Sequence, residues 1–222
     1  MTRSPAGLEL AEALTLAARR LHETTTAQAT LRTAVQLAVE LLPGAEHAGV
    51  LEIDRAEGRR TVAWTDDIVR DAEAPELAHW ERLWTSPVAR LPEGDGDAGT
   101  EPGPLSDLGL RSVLSLRLRA DRRRLTVLTA YSGEPCAFDD TTARLGRLFT
   151  AHVSLALNSV TVQEQLTEAM HTRDLIGQAT GVLMERLDID AAAAFESLVR
   201  ASQRENVKLR DLARRIVGAT DN

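Results

Sequence analysis

Between residues 200 and 215, six cationic side chains face only two carboxylates. The cations are Arg200, Arg204, Lys208, Arg210, Arg214 and Arg215, and the carboxylates are Glu205 and Asp211. A segment at +4 inside a chain of formal charge −7 has one chemistry within reach, the neutralisation of phosphates by Arg and Lys. The plain alternative for such a charge run is a solvated helix face. Helical spacing puts Arg200 and Arg204 on one face. In the next helix Lys208 and Arg215 fall on one flank of an apolar stripe, and Arg210 and Arg214 on the other.

No catalytic constellation accompanies these cations. The chain lacks a G-x-x-x-x-G-K-[ST] phosphate loop and a G-x-S-x-G nucleophile elbow. Its five histidines, His22, His47, His79, His152 and His171, are scattered, with none at metal-ligand spacing from another histidine or a cysteine. His152, beside Phe149, reads as a packing residue. The single cysteine, Cys136, excludes an internal disulfide and reads as an inert thiol in a turn. The pairs Asp66-Asp67 and Asp139-Asp140 read as turn and cap residues. The expectation is a protein that binds without catalysing, with no metal and no cofactor named by its residues.

Aromatic residues make up 3% of the chain, and six of the seven lie before residue 150. With Phe195 alone beyond it, a C-terminal RRM or OB module that stacks bases on aromatic platforms is disfavoured. Trp64, Trp80 and Trp84 could line a ligand pocket, with core packing as the competing reading. The N-terminal segment has no uninterrupted apolar h-region, and no run approaches the roughly 18 apolar residues of a membrane span. A cytoplasmic protein without membrane contact is expected.

The elements that must position these groups are legible from periodicity. Residues 8–42 carry apolar positions at helical spacing, and Pro43-Gly44 stops the second helix. HAGVLEID and RRTVAWTD, separated by Ala56-Glu57-Gly58, form a candidate hairpin. Trp80, Leu83 and Trp84 share a helical face, and residues 93–107 read as a loop. RSVLSLRLRA and LTVLTAYSG, joined by a DRRR turn, alternate as an antiparallel pair with one face covered.

From Asp140 to Leu187 no proline or loop interrupts the sequence, so one long helix is expected. Val162, Leu166, Ala169, Arg173, Ile176, Thr180, Leu183 and Leu187 step by four and three, as in a coiled coil. Polar Arg173 and Thr180 interrupt one seam. Either a packed helix tolerates them, or a surface is left open for a partner. Asp190 can cap the next helix, and Asn206 offers the turn before a last helix. There Leu209, Leu212, Ala213, Ile216 and Val217 form one stripe.

Residues 173–217, RDLIGQATGVLMERLDIDAAAAFESLVRASQRENVKLRDLARRIV, closely resemble the ANTAR domain of bacterial transcription antiterminators. The resemblance rests on Ile176–Ala179, Gly181–Arg186, Ala194-Phe195, Ser202-Gln203, Asn206 and Lys208–Asp211 with Ala213. Family members often carry lysine where this chain has Thr180, which removes one phosphate contact and leans binding on Lys208 and Arg210. Residues 26–158 resemble a GAF domain in the arrangement of actinobacterial GAF–ANTAR proteins. The match is good over GLRSVLSLRLR and LTVLTAYSGEPCAFDD and poor over 66–107, so no ligand identity follows.

The resemblance implies an α+β chain. A GAF-like antiparallel sheet flanked by helices (1–158) would join, through a coiled-coil connector, a three-helix RNA-binding bundle (159–222). It implies a signal-responsive antitermination regulator that binds paired stem-loops in nascent transcripts. RNA contacts are expected from Arg173, Gln178, Thr180, Arg204, Asn206, Lys208 and Arg210. The implied partners are a second copy through the 140–187 helix and a small molecule or upstream signalling protein at the GAF domain. Two rivals stand beside this reading: a dimeric DNA-binding factor using 203–208 as a helix-turn-helix corner, and a protein-interaction module.

Overall fold

The computed structural model describes residues 5–74, 79–91 and 104–218. The chain divides into two compact units, Met1–Thr161 and Val162–Asn222. The first is built in the order α1 (Pro5–His22), α2 (Ala27–Leu41), β1 (His47–Asp54), β2 (Gly58–Trp64), α3 (Asp67–Glu73), α4 (His79–Arg82) and β3 (Val88–Leu91). It continues with α5 (Pro104–Asp107), β4 (Ser112–Ala120), β5 (Arg124–Ser132) and the start of α6 (Asp140–Leu187). The second holds the rest of α6 with α7 (Ala191–Glu205) and α8 (Leu209–Gly218). The protein is α+β, and among the described residues no helix is long and apolar enough to cross a membrane.

Five strands form one antiparallel sheet in the order β2-β1-β5-β4-β3. Local chemistry closes its turns. Asp54 accepts the N–H groups of Ala56 and Glu57, and Gly58 takes φ +89°, so β1 returns as β2. Asp121 likewise accepts from the N–H groups of Arg123 and Arg124 in the expected DRRR turn. The two hairpin tips are then clamped by Asp54 to Arg123 (3.2 Å) and Arg124 (2.9 Å). The Ala56 N–H first, and the Arg124 guanidinium next, hold the Asp54 carboxyl well below the usual carboxylate range.

Alternate residues of β1, β4 and β5 enter different cores. Val50, Leu114, Leu116 and Leu128 pack with Leu21, Val35, Leu37, Phe149 and Val153 of α1, α2 and α6. Gly146 brings α6 onto β4 so closely that a Cβ would stand 2.6 Å from Leu116 Cδ1. On the opposite face Leu51, Leu125 and Val127 pack with Trp80 and Leu83, while Val113 and Tyr131 pack with Val69, Ala72 and Leu110. The expectation of one covered face is therefore corrected. Every residue of β5 after Arg124 is buried, because α3, α4 and α5 cover the second face.

Two further expectations change. Pro104–Asp107 is a short helix within the segment read as a loop, whose first part, through 103, lies outside the described residues. The Trp80-Leu83-Trp84 helix shortens to His79–Arg82, because Arg117 donates to the Leu83 and Trp84 carbonyls, where a continuing helix would place its own N–H groups.

In the second unit α6, α7 and α8 enclose Ala179, Leu198, Leu212 and Ala213, with Ile176, Leu183, Leu209, Ile216 and Val217 packed around them. The seven-residue seam divides into a packed and an exposed stretch. Ile176 and Leu183 are packed inside, whereas Val162 and Leu166 are exposed. Thr180 is half-buried and donates its hydroxyl to the Ile176 carbonyl at 2.8 Å, which is how the helix tolerates it.

Candidate nucleic-acid interface

The corner between α7 and α8 is built by local bonds. Asp190 caps α7 by accepting the Ala193 N–H, and Asn206 ends it in the left-handed region at φ 53°, ψ 40°. Ser202, buried beneath the corner, donates to the Val207 carbonyl at 2.6 Å and receives the Val207 N–H at its own carbonyl. The Lys208 carbonyl then accepts from Asp211 and Leu212 and opens α8. These bonds fix the backbone of residues 202–212 and leave the side chains of Arg204, Asn206 and Lys208 exposed.

Ion pairs sort the six cations of the segment. Arg200 pairs with Glu196 (3.2 Å), Arg214 with Asp211 (3.5 Å) and Arg215 with Glu205 (2.7 Å). Arg210, half-buried, turns back to Glu168 of α6 at 3.3 Å. Arg204 and Lys208 have no ion pair among the described residues. Lys208 is also the chain's only lysine. Exposed pairs contribute at most about 1 kcal/mol each and are screened by salt, so the paired arginines can exchange a carboxylate for a phosphate. The two unpaired cations need no exchange.

An open depression at the corner is lined by Asn206, Val207, Lys208, Asp211, Arg214 and Arg215. This revises the expected flanks of α8: Arg214 falls with Lys208 and Arg215, while Arg210 alone faces α6. Asp211 stands between them and draws both Arg210 (3.8 Å) and Arg214 (3.5 Å).

Of the seven expected contacts, Arg204, Asn206 and Lys208 therefore meet at one corner. Arg173 and Gln178 are exposed on α6, and among the described residues no hydrogen bond or ion pair joins them to that corner. Thr180 uses its hydroxyl internally, and Arg210 is engaged by Glu168. Arg214 and Arg215 join the depression although the resemblance names neither. Their place was legible only as charge. Ala179 is fully buried in the bundle, so its small size serves helix packing, whereas a Cβ on Gly181 would meet nothing within 4 Å.

In the first unit the structure brings together two of the three tryptophans. Trp80 is buried with Leu51, Leu83, Ala89, Leu125 and Val127, and Trp84 packs half-buried against that cluster. Trp64 is exposed at the end of β2 beneath Arg70, 5.3 Å from its ring centroid. The depression between the hairpin tips is lined by Glu52, Asp54, Arg59, Arg60, Arg119 and Arg124 among others, and by no tryptophan. His47 pairs with Asp66 at 2.7 Å, Asp139 caps α6 through the Thr142 N–H, and Cys136 is exposed at φ 53°.

The ANTAR domain family model matches residues 164–217, and a GAF domain model matches residues 24–158. No curated protein matches the sequence. Among solved structures, the photosensory core module of a Stigmatella aurantiaca phytochrome aligns over 89% of this chain, with TM-score 0.61 and 14% identity. A bacteriophytochrome from R. palustris aligns over 82%, with TM-score 0.58 and 14% identity. This chain spans 45% and 43% of those two proteins. The GAF domain of a phosphoenolpyruvate-protein phosphotransferase from Coxiella burnetii aligns over 73% of this chain and 99% of its own, with TM-score 0.55 and 13% identity. At these identities the likeness is one of fold.

Proposed function

Because the chain belongs to the GAF domain family through residues 24–158 and carries an ANTAR domain at 164–217, we propose that it is a transcription antiterminator that binds tandem RNA stem-loops. A GAF sensor joined to an ANTAR domain is a signal-responsive regulator. The finer reading is that the α7–α8 corner grips the phosphates of a hairpin in a nascent transcript and keeps a terminator from forming. It acts in the cytoplasm and performs no catalysis.

The observation that carries this reading is the corner itself, where Arg204 and Lys208 stand unpaired on either side of Asn206. Two exposed cations supply sequence-independent phosphate contacts, and the neighbouring amide can meet an unpaired base. Filter binding to matched RNA stem-loops and duplex DNA across a salt series tests it. Tight RNA binding with a steep salt slope is expected. Equal binding to both would favour the DNA-binding rival, and binding to neither would favour a protein-docking bundle.

The protein acts as a homodimer through the 140–187 helix, with α6 carrying the signal from a small molecule or protein at the GAF domain. Support comes from Leu148, Leu155 and Val162, seven residues apart and each more than half exposed, followed by exposed Leu166. Asn158, Gln163 and Gln165 around Val162 are uncharged, while the exposed Arg144 and Arg147 flank Leu148. The double variant Leu155→Asp/Val162→Asp is expected to sediment as a monomer at concentrations where the wild type is a dimer. An unchanged sedimentation coefficient would move the interface elsewhere.

A further inference from the structure

The first unit buries a carboxyl group that the proposed function does not use. Glu73, the last residue of α3, is 2% exposed and lies against three strands. Its Oε2 accepts the Thr61 hydroxyl of β2 at 2.6 Å, and its Oε1 lies 3.5 Å from the Tyr131 hydroxyl of β5. Beneath it is Gly49 of β1, where an added Cβ would stand 2.6 Å from Glu73 Oε1 and 2.4 Å from Val69 Cγ1. A side chain at position 49 would lift α3, so this glycine is what lets Val69 and Glu73 seat on the sheet.

The ionisable groups around the carboxyl are engaged elsewhere. From β1, His47 pairs with Asp66 and Glu52 with Arg60 of β2. Arg59 of β2 donates to the Ala74 carbonyl at 2.6 Å and lies over the Trp80 ring. On α3 itself Arg70 pairs with Asp67 and covers Trp64, and Asp71 is exposed. From α5 and the turn after it, Asp107 and Arg111 are both exposed. From β5 only Tyr131 reaches Glu73. Among the described residues, then, Glu73 meets hydroxyl groups and no cation.

We propose that Glu73 is a proton-binding site in the sensor unit, and that departure of its proton loosens α3 from the sheet. A carboxyl with two hydroxyl partners is at home neutral, whereas an ionised one in the same place lacks both water and a counter-charge. Burial pushes its pKa up to about 7, against the opposing hydrogen bonds from Thr61 and Tyr131. The Tyr131 hydroxyl is pushed well above its usual range by its own burial and then by the Glu73 charge, so it remains a donor.

The direction follows from linkage. Below the ordinary value of 4.5 the carboxyl is protonated whether α3 is seated or released, and the contact is at full strength. Between 4.5 and about 7 the released form ionises first, and seating weakens. Above that both forms are ionised and the loss is complete. α3 carries Val69 and Ala72 into the cluster with Leu110, Val113 and Tyr131, so its release opens that face of the sheet. The ligand here is the proton itself. The inference stands apart from the RNA-binding reading.

Hydrogen exchange of the α3 amides in the full chain, corrected for the intrinsic pH dependence of exchange, tests the proposal without RNA. Wild-type protection is expected to fall about tenfold between about pH 6 and pH 8.5, while Glu73→Gln stays level. Gly49→Ala should leave α3 poorly protected at every pH. His47→Gln separates the other ionisable contact of α3 and should keep the wild-type fall. Wild-type protection that stays level would overturn the proposal. So would an equal fall in Glu73→Gln, or a fall removed by His47→Gln alone. A carbon-13 carboxyl titration of Glu73 is expected to show a midpoint near 7, and a midpoint at the ordinary glutamate value also overturns it.

Discussion

Replacing Arg204 and Lys208 together by alanine is expected to lower affinity for a single RNA stem-loop about 50-fold near 0.1 M salt. Each phosphate neutralised on a duplex adds about 0.9 to the slope of log affinity against log salt. Two lost contacts therefore cost nearly two decades at 0.1 M, measured against the 1 M reference where the electrostatic contribution vanishes. The salt slope should flatten by about 1.8, and the variant should approach wild type as salt rises. Neither side chain has an ion pair among the described residues, and both are exposed, so helicity and melting should be unchanged.

The control is a single substitution of an arginine already neutralised. Arg200→Ala, which breaks a pair with Glu196, should cost less than about threefold, because a paired cation must first give up its carboxylate. If the double variant bound as tightly as wild type with the same slope, the corner would not be the phosphate grip. If Arg200→Ala matched it, charge count alone and not the α7–α8 geometry would decide affinity.

Leu198→Ala is expected to cost the C-terminal bundle about 3 kcal/mol, within the range for truncating a fully buried leucine. Leu198 is 1% exposed and lies among Ala179, Leu212 and Ala213. Ala179 and Ala213 beside it are too small to reach into the space it would leave. A three-helix core of this size holds only about 3–5 kcal/mol in total, so one cavity removes most of its stability. The α7 and α8 amides should lose protection while those of α2, β1 and β5, which belong to a different core, keep theirs. RNA binding should fall with the bundle. A measured loss below about 1 kcal/mol, or loosening of the sheet unit as well, would contradict this account of separate cores.

The long helix was legible to the residue, Asp140–Leu187, because proline, glycine pairs and caps act within a few positions of themselves. The same locality explains the Asp190 cap, the left-handed turn at Asn206 and the stripe of α8. It also explains why the basic segment could be found as a charge count. The resemblance then placed two domains on the chain, and the family matches agree with both.

What sequence periodicity could not deliver depends on pairs far apart in the chain. An alternating pattern in β4 and β5 shows that a strand exists, but whether a second layer covers it rests on α3, α4 and α5, which come from elsewhere in the sequence. Six cations in one segment look equivalent until Glu168 claims Arg210 across 42 residues and Glu205 claims Arg215 across ten. Glu73 reads as one acid among several in an acidic stretch. Its burial exists only because β1 offers a glycine 24 positions earlier and β5 a tyrosine 58 positions later. The sequence by itself determined the helices, their ends and the place of the charge, since those follow from bonds spanning about four residues. The tertiary structure alone decided which charges remain free and which acid is buried. Coulomb partners and desolvation are properties of distance in space, which only folding sets.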